Sequence, residues 1–430
     1  MTEFVPVHQA RSGFVARKAR SLVRSRVVDR LSRMQFGSLK LRDVEGDLEF
    51  TFGTQAHGAE HVPEVRVRDP RFWTSMAFGG TVGAAESFIR GDWDVDDLGA
   101  CLALVVRNRH VLEALDRGLA RGIQPALHVA HVLRRNTKNG SKRNIAAHYD
   151  LGNEFFASWL DPTMTYSSAL FDNPQAATFD QLEAAQREKY DRLCRRIALR
   201  PGDDVCEIGT GWGGMAIHMA GEYGCRVTTT TISAQQALLA RERVRAAGLE
   251  DRIRILERDY RDLERSDATN AHGFDAVVSI EMIEAVGHRF LPKFFEACRR
   301  VVADHGRVGL QVITIADQFY DQARKQVDFI QSHVFPGSAI PSVGAMVGAM
   351  SRATDFRLVE TNDFGEHYAA TLRIWRERFV AARSKLAALG YDERFRRLWE
   401  FYLAYCEAGF AERQLGLHQM VLAPGARSGA

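Results

Sequence analysis

The ten residues Val205–Gly214, VCEIGTGWGG, hold the densest chemical signal in the chain. A short apolar run carrying one acid, Glu207, breaks into glycines at Gly209, Gly211, Gly213 and Gly214, and a helical pattern through Met215, Ile217 and Ala220 follows. Glycine supplies the positive φ of a sharp bend and leaves no Cβ between backbone and ligand, so a strand, turn and helix of this kind can hold an adenosine-containing cofactor. Spacing chooses among cofactors. A dinucleotide fingerprint wants G-x-G-x-x-G, with a pyrophosphate on the helix N-terminus and an acid about 20 residues on. Here the pattern is E-x-G-x-G-x-G-G. An acid beside the glycines would repel a pyrophosphate but is compatible with S-adenosylmethionine (SAM), which has no phosphate. The alternatives are a dinucleotide and a purely structural turn.

Such a turn needs a sheet behind it. Strand candidates are Asp204–Ile208, Arg226–Thr231, Ile253–Glu257, Phe274–Ile280, Arg307–Ile313, Phe356–Glu360 and Leu417–Leu422. Helical stretches separate most of them, which predicts an α/β, Rossmann-like fold with a mostly parallel seven-stranded sheet. Ligands of such sheets bind beyond the carboxyl ends of the strands, where strand order reverses, so residues just after strand ends are site candidates.

Ahead of this domain, residues 1–133 read as a smaller α+β domain. Leu39 and Leu41, then Leu48, Phe50 and Phe52, alternate around an Asp43–Asp47 turn, and Val65 and Val67 alternate again. Residues 134–143, RRNTKNGSKR, form a polar, basic linker to a catalytic domain over 144–430. Residues 11–33 set Arg11, Arg17, Lys18, Arg20, Arg24, Arg26, Arg30 and Arg33 against one acid, Asp29, around an apolar stripe. A basic amphipathic helix of this kind suits an anionic membrane surface, or else docks on its own domain.

The chain has 430 residues and a net charge of +3, too small a charge to argue for nucleic acid. No apolar run approaches the about 20 residues of a membrane span, and the N-terminus lacks the apolar core of a cleaved signal peptide. The six cysteines show no paired metal-ligand spacing, so no metal site is expected and they read as small buried hydrophobes of a reducing cytoplasm.

Further motifs surround the glycine turn. Residues 147–171 read AHYDLGNEFFASWLDPTMTYSSALF; after the turn come TISAQQ at Thr231–Gln236, SIEMIEAVG at Ser279–Gly287, QVITI at Gln311–Ile315, DFIQSHVFPGSAIPS at Asp328–Ser342, EHYAATLRIW at Glu366–Trp375 and YCEAGFAERQL at Tyr405–Leu415. In this order, over residues 140–425, they resemble the cyclopropane-fatty-acyl-phospholipid synthase family, whose relatives include the mycolic acid cyclopropane synthases. ESFIRGDWD at Glu86–Asp94 resembles that family's N-terminal domain.

The resemblance implies a class I SAM-dependent methyltransferase that adds a methylene across a cis double bond of a phospholipid acyl chain. It implies a lipid carbocation deprotonated by bound bicarbonate, with work at the inner face of the cytoplasmic membrane as a peripheral protein and homodimer. Tyr166 and Ser167 match cofactor contacts in the loop over SAM. Glu207, Gly209, Gly211 and Gly213 match the glycine turn, Thr231, Ile232 and Gln236 the ribose segment, and Tyr260 and Ile280 the adenine lining. No acid stands in TTTTISAQQ, so hydroxyl and amide groups must serve the ribose. Glu284 matches the glutamate that accepts the bicarbonate hydroxyl and Tyr368 its tyrosine donor. Ser168, Gln311 and Ile313 complete the catalytic set; Ser168 and Gln311 stand where many members have cysteine and histidine, and Ala285 where a histidine often follows the glutamate.

The chemistry asks for the same things. An alkene attacking a sulfonium methyl leaves a carbocation that needs electron-rich, dry surroundings and then loses a proton. Tyr149, Tyr166, Phe171, Phe335, Tyr368 and Trp375 are candidate aromatic faces for it, while His148 reads as a structural residue beside a helix start. Loss of a different proton would give a methyl- or methylene-branched chain, and loss of catalysis a lipid-binding protein.

Overall fold

The computed structural model describes residues 21–44, 46–54, 61–111 and 151–425. His148, Tyr149, the linker 134–143 and the first part of the basic stretch lie outside the described residues. The chain divides into two compact units, Met1–Val129 with Tyr391–Ala408, and Ala130–Gly390 with Gly409–Ala430.

In the first unit a helix over residues 21–31 (α1) precedes four strands, β1 (Gly37–Asp43), β2 (Leu48–Thr54), β3 (Glu64–Val67) and β4 (Trp93–Val95), in the order β2-β1-β3-β4. The alternation read from the sequence is the pleat: Leu39, Leu41, Phe52, Val65 and Val67 are all buried. Helices α2 (Arg71–Arg90) and α3 (Leu98–Arg107) accompany the sheet. On α1, Val27 and Leu31 are buried one turn apart, Met34 just beyond the helix is buried too, and Arg24 pairs with Asp43 of β1 at 3.4 Å. The described half of the basic helix therefore docks on its own unit, leaving Arg26 and Arg33 exposed.

From residue 151 the chain runs α4 (Asn153–Ala157), α5 (Leu182–Arg196), β5 (Asp204–Ile208), α6 (Gly214–Glu222), β6 (Arg226–Thr231), α7 (Ala234–Ala246), β7 (Ile253–Glu257), β8 (Phe274–Ile280), α8 (Leu291–Val301), β9 (Val302–Ile315), α9 (Asp317–Ala323), α10 (Val343–Ala353), β10 (Phe356–Asp363), α11 (Gly365–Ala381) and α12 (Arg383–Ala388) in the second unit, then a long helix α13 (Glu393–Ala411), most of it in the first, and β11 (Leu415–Pro424), back in the second. The sheet order is β10-β11-β9-β8-β5-β6-β7, with β5 to β9 parallel and β11 antiparallel to both of its neighbours. The α/β expectation with seven strands holds. The last three strands extend beyond their apolar runs: β9 starts at Val302, paired with Phe274 of β8, rather than at Arg307, and pairing with β11 carries β9 on to Ile315 and β10 to Asp363. The chain leaves β5 toward β7 on one side and returns to β8 on the other, so the order reverses between β5 and β8. That crevice is where the site must lie.

Apolar clusters cover both sheet faces. Phe274, Phe294, Phe295, Cys298 and Met346 lie in one, and Leu193, Cys194, Met215, Met219 and Val227 in the other. The five cysteines Cys101, Cys194, Cys206, Cys225 and Cys298 are buried and unpaired.

Tyr391–Ala408 was expected with the catalytic domain and belongs instead to the first unit. The tie is Arg397 on α13, which donates to the carbonyls of Phe88 and Trp93 (2.6 and 2.7 Å) and to Asp94 (2.9 Å), and lies 4.1 Å over the Phe88 ring.

Helix α5 seats on β9 at Gly309, where a Cβ would come 2.8 Å from Ile197 and 3.1 Å from Leu193. Overpacking of this kind costs about 1–3 kcal/mol. Gly309→Ala should therefore lower the urea midpoint with an unchanged slope; an unchanged midpoint would show that the seam has slack.

Candidate active site

The glycine turn leaves β5 with positive φ at Gly209 (103°), Gly211 (52°) and Gly213 (85°). The N–H groups of Gly209 and Thr210 donate to Thr230 O at 3.0 and 3.1 Å, Gly213 N–H donates to Thr210 O at 2.9 Å, and the Arg243 side chain donates to Trp212 O at 3.0 Å, so the loop is fixed from within and from α7. A Cβ on Gly209 would press on Met282, whereas one on Gly211 would meet no protein atom within 4 Å. The open space before Gly211 is the cradle a close-lying ligand needs.

Around it stand the other cofactor candidates. Glu207 is buried, accepts the Thr229 hydroxyl at 2.5 Å, and is pushed up to about 8 by loss of hydration. At neutral pH it is mostly uncharged. At the end of β6, Thr231 donates to Gln236 Oε1 (3.2 Å) and accepts Ser233 N–H (3.1 Å), while Ser233 caps α7 on Gln236 N–H (3.3 Å). Ile232 between them is half-buried, as is Ile280 at the end of β8. Tyr260 follows β7, packs edge-on against Phe294 at 5.7 Å, and has its phenol pushed up by burial. These residues stand at the carboxyl ends of β5, β6, β7 and β8, with hydroxyl and amide groups where an acid would serve a ribose.

The expected anion site is built differently from its sequence reading. Ser168 N–H, the Gln311 amide and the Tyr368 hydroxyl do converge, but on a protein carboxylate. Glu281 Oε1 accepts Ser168 N–H at 3.0 Å and Gln311 Nε2 at 2.8 Å, and Oε2 accepts Tyr368 Oη–H at 2.7 Å. Glu281 follows β8 directly and holds φ at 47°, left-handed for a residue with a Cβ. Such strain concentrates where surroundings impose it at a functional site. Desolvation pushes Glu281 up, while Lys189, Gln311 and Tyr368 pull it down.

Glu284 faces a separate partner. Its Oε1 accepts Ile313 N–H at 2.5 Å, and its buried Oε2 has no hydrogen-bond partner among the described residues. Burial, then the charge of Glu281, push it up to about 8, so near neutrality it is an uncharged acid.

The segment 166–171 is clamped from two sides. From α11, Thr371 Oγ1 accepts Ala169 N–H and His367 Nδ1 accepts Phe171 N–H, each at 3.1 Å. From α5, Gln186 Nε2 donates to Ser167 O (2.9 Å) and Lys189 Nζ to Ser167 Oγ (2.7 Å). Tyr166 joins an aromatic wall with Phe156, Trp159 and Trp375 at 5.4 to 5.6 Å between centroids, and Tyr368 meets Trp375 edge-on at 6.1 Å. Of the other aromatic candidates, Phe171 is buried in this clamped segment and Phe335 is half-buried after a π-helical turn over Ile330–Val334.

Glu281 and Lys189 escaped the sequence reading, although both left signals. Glu281 is the residue immediately after a strand at the reversal point. Lys189 and Gln186 interrupt the buried stripe Leu182, Ala185, Tyr190 and Leu193 of α5, where polar residues need a reason. At the other ends of β8 and β9, His272 and His305 both approach Asp275 Oδ1 (3.3 and 3.0 Å), a surface cluster of metal-ligand types outside this site.

A parallel sheet, a glycine turn at its reversal point and a dry aromatic wall beside it define a class I SAM-dependent methyltransferase. The chain belongs to the mycolic acid cyclopropane synthetase family, whose model matches residues 136–420. It is 38% identical over 403 residues to a tuberculostearic acid methyltransferase of Mycobacterium tuberculosis, spanning 92% of this chain and 90% of that one. It is 34% identical over 369 residues to the cyclopropane-fatty-acyl-phospholipid synthase of Escherichia coli, spanning 85% and 89%. A mycolic acid cyclopropane synthase crystallised with SAH and CTAB is similar at a TM-score of 0.58 and 27% identity, over 65% of this chain and 97% of that one.

Two outcomes follow. Gly211→Val forces a β-branched residue to φ 52° and fills the cradle, so SAM affinity by calorimetry should fall roughly tenfold or more. Folded Glu284 keeps its proton to about pH 8, whereas the unfolded carboxyl loses it near 4.5, so wild-type stability falls across that window. Glu284→Gln should match wild type near pH 4 in denaturant unfolding and gain on it steadily up to about pH 8; a pH-independent difference would refute the neutral acid.

Proposed function

We propose that the chain transfers a methyl group from SAM to the double bond of an unsaturated phospholipid acyl chain, with the Glu281 carboxylate taking up the released proton. SAM, when bound, supplies an electrophilic methyl on a sulfonium. The protein must then stabilise a cation on the lipid and remove one proton from it. Tyr166, Tyr368 and Trp375 offer aromatic faces, each worth on the order of 1–2 kcal/mol to a desolvated cation. Glu281 offers the base.

The observation that carries this reading is the three-bond grip on Glu281 by Ser168, Gln311 and Tyr368. Those are the donors expected around bicarbonate, and a second anion there would lie against a poorly hydrated carboxylate. Bicarbonate does not fit this arrangement, and Glu281 supplies its basicity. Methyl addition leaves a secondary cation on the neighbouring carbon. Loss of a proton from the new methyl with ring closure gives a cyclopropane. A hydride shift from the methylated carbon first gives a tertiary cation, and loss of a methyl proton then gives a methylene branch. A base fixed to the backbone cannot follow the methyl as a bound ion can, which favours the second course. The similarity to a methyltransferase by name supports it too.

On unit 1, exposed Arg26 and Arg33 with Leu22 and Phe36, 60% and 51% exposed, support peripheral attachment to an anionic bilayer. No helix among the described residues is long and apolar enough to cross a membrane.

Incubation with SAM and vesicles of mono-unsaturated phosphatidylglycerol should add 14 mass units per modified chain and leave one alkene in the fatty acid methyl ester. A product without an alkene would restore the cyclopropane, and no product would sink the lipid reading. Glu281→Gln should abolish turnover while SAM binding persists, and stripping bicarbonate from the buffer should leave the wild-type rate unchanged.

A further inference from the structure

Lys189 has no solvent exposure, yet its amine stands on the packed face of α5. A buried amine without compensation would simply shed its proton. Its surroundings point to a use. Nζ donates to Ser167 Oγ at 2.7 Å, and the next residue's N–H, that of Ser168, donates to Glu281 Oε1 at 3.0 Å. Lysine and carboxylate thus bind adjacent residues of one short segment. Its mountings are shared as well: Gln419 Nε2 donates both to Lys189 O (3.1 Å) and to Gln311 Oε1 (3.2 Å), the amide whose nitrogen holds Glu281.

We propose that Lys189 is the counter-charge that keeps the Glu281 carboxylate ionised, a positioning residue for the proton acceptor rather than a catalytic one. The inference rests on the reading of Glu281 as that acceptor. The charged groups that bear on the pair are few. Glu281 and Asp161 favour the lysine's charge, while Glu284, Gln311 and Tyr368 line the carboxylate. The Tyr190 ring lies 4.5 Å from Nζ. Desolvation draws Lys189 down to about 7 and pushes Glu281 up, and each opposes the shift of the other. Neutralising one member therefore releases the other toward its uncharged form.

Glu281 accepts a proton only when ionised, so turnover falls as pH drops through its pKa. Removing a positive neighbour raises that pKa and moves the acid limb of kcat to higher pH. Lys189→Gln keeps a donor for Ser167 without the charge. It should move the limb up by about one pH unit or more, a roughly tenfold loss of kcat at a pH on that limb, with SAM affinity by calorimetry and the thermal midpoint near wild type. Lys189→Arg, which keeps the charge, should leave the limb in place. Lys189→Met serves as a second neutral variant if the glutamine variant does not fold. A kcat lowered equally at every pH, or weaker SAM binding with the limb unmoved, would overturn the inference and leave Lys189 a structural donor. Glu281→Gln in the same assay separates the two claims. If it turns over like wild type, the Glu281 reading fails and takes this one with it; if it is inactive while the Lys189→Gln limb stays put, only the lysine inference fails.

Discussion

A carboxylate removed from water must be given other partners, and the partners given to Glu281 determine how the crevice is assembled. Ser168 N–H comes from the segment after α4, the Gln311 amide from β9 and the Tyr368 hydroxyl from α11. These pieces lie far apart in the chain and meet on one side chain. The direction of the Gln311 amide is set in turn by Gln419 on the antiparallel strand β11, directly across the ladder. Because charge-assisted hydrogen bonds are stronger than neutral ones, the site is preorganised around a negative charge before any substrate arrives.

The same economy governs the other acids. Glu207 and Glu284 are both pushed up to about 8, one beneath the glycine turn and one beside Ile313. Environments that push carboxyl groups apart divide their roles. Two acids held toward their neutral forms and one gripped carboxylate give a pocket with little negative charge to spare, which suits the proposed reaction, where a sulfonium and a lipid cation would both be tolerated but neither trapped.

Much of the fold was legible because parallel strands buried on both faces read as short apolar runs, and four of the seven strands match their runs residue for residue. The glycine turn was equally plain. What the sequence concealed was which of two acids in SIEMIEAVG would enter the anion site. Glu284 sits at the motif's familiar glutamate, but the left-handed turn at Glu281 swings the first acid onto the donors. A backbone conformation decides that, and residue type does not announce it. Lys189 was hidden for another reason: a helix that is mostly charged gives no hint that one of its lysines faces inward, unless its apolar stripe is traced residue by residue.

The segment Tyr391–Ala408 has a consequence for how the molecule is made. Arg397 completes hydrogen bonds to Phe88 and Trp93 in a unit whose other residues all precede position 130. On the ribosome that unit emerges first, yet its last helix is translated only after nearly the whole catalytic sheet. The part synthesised earliest must wait, incomplete, for a late piece of chain, and a nascent protein halted before residue 391 would hold the glycine turn and Glu281 but an unfinished first unit.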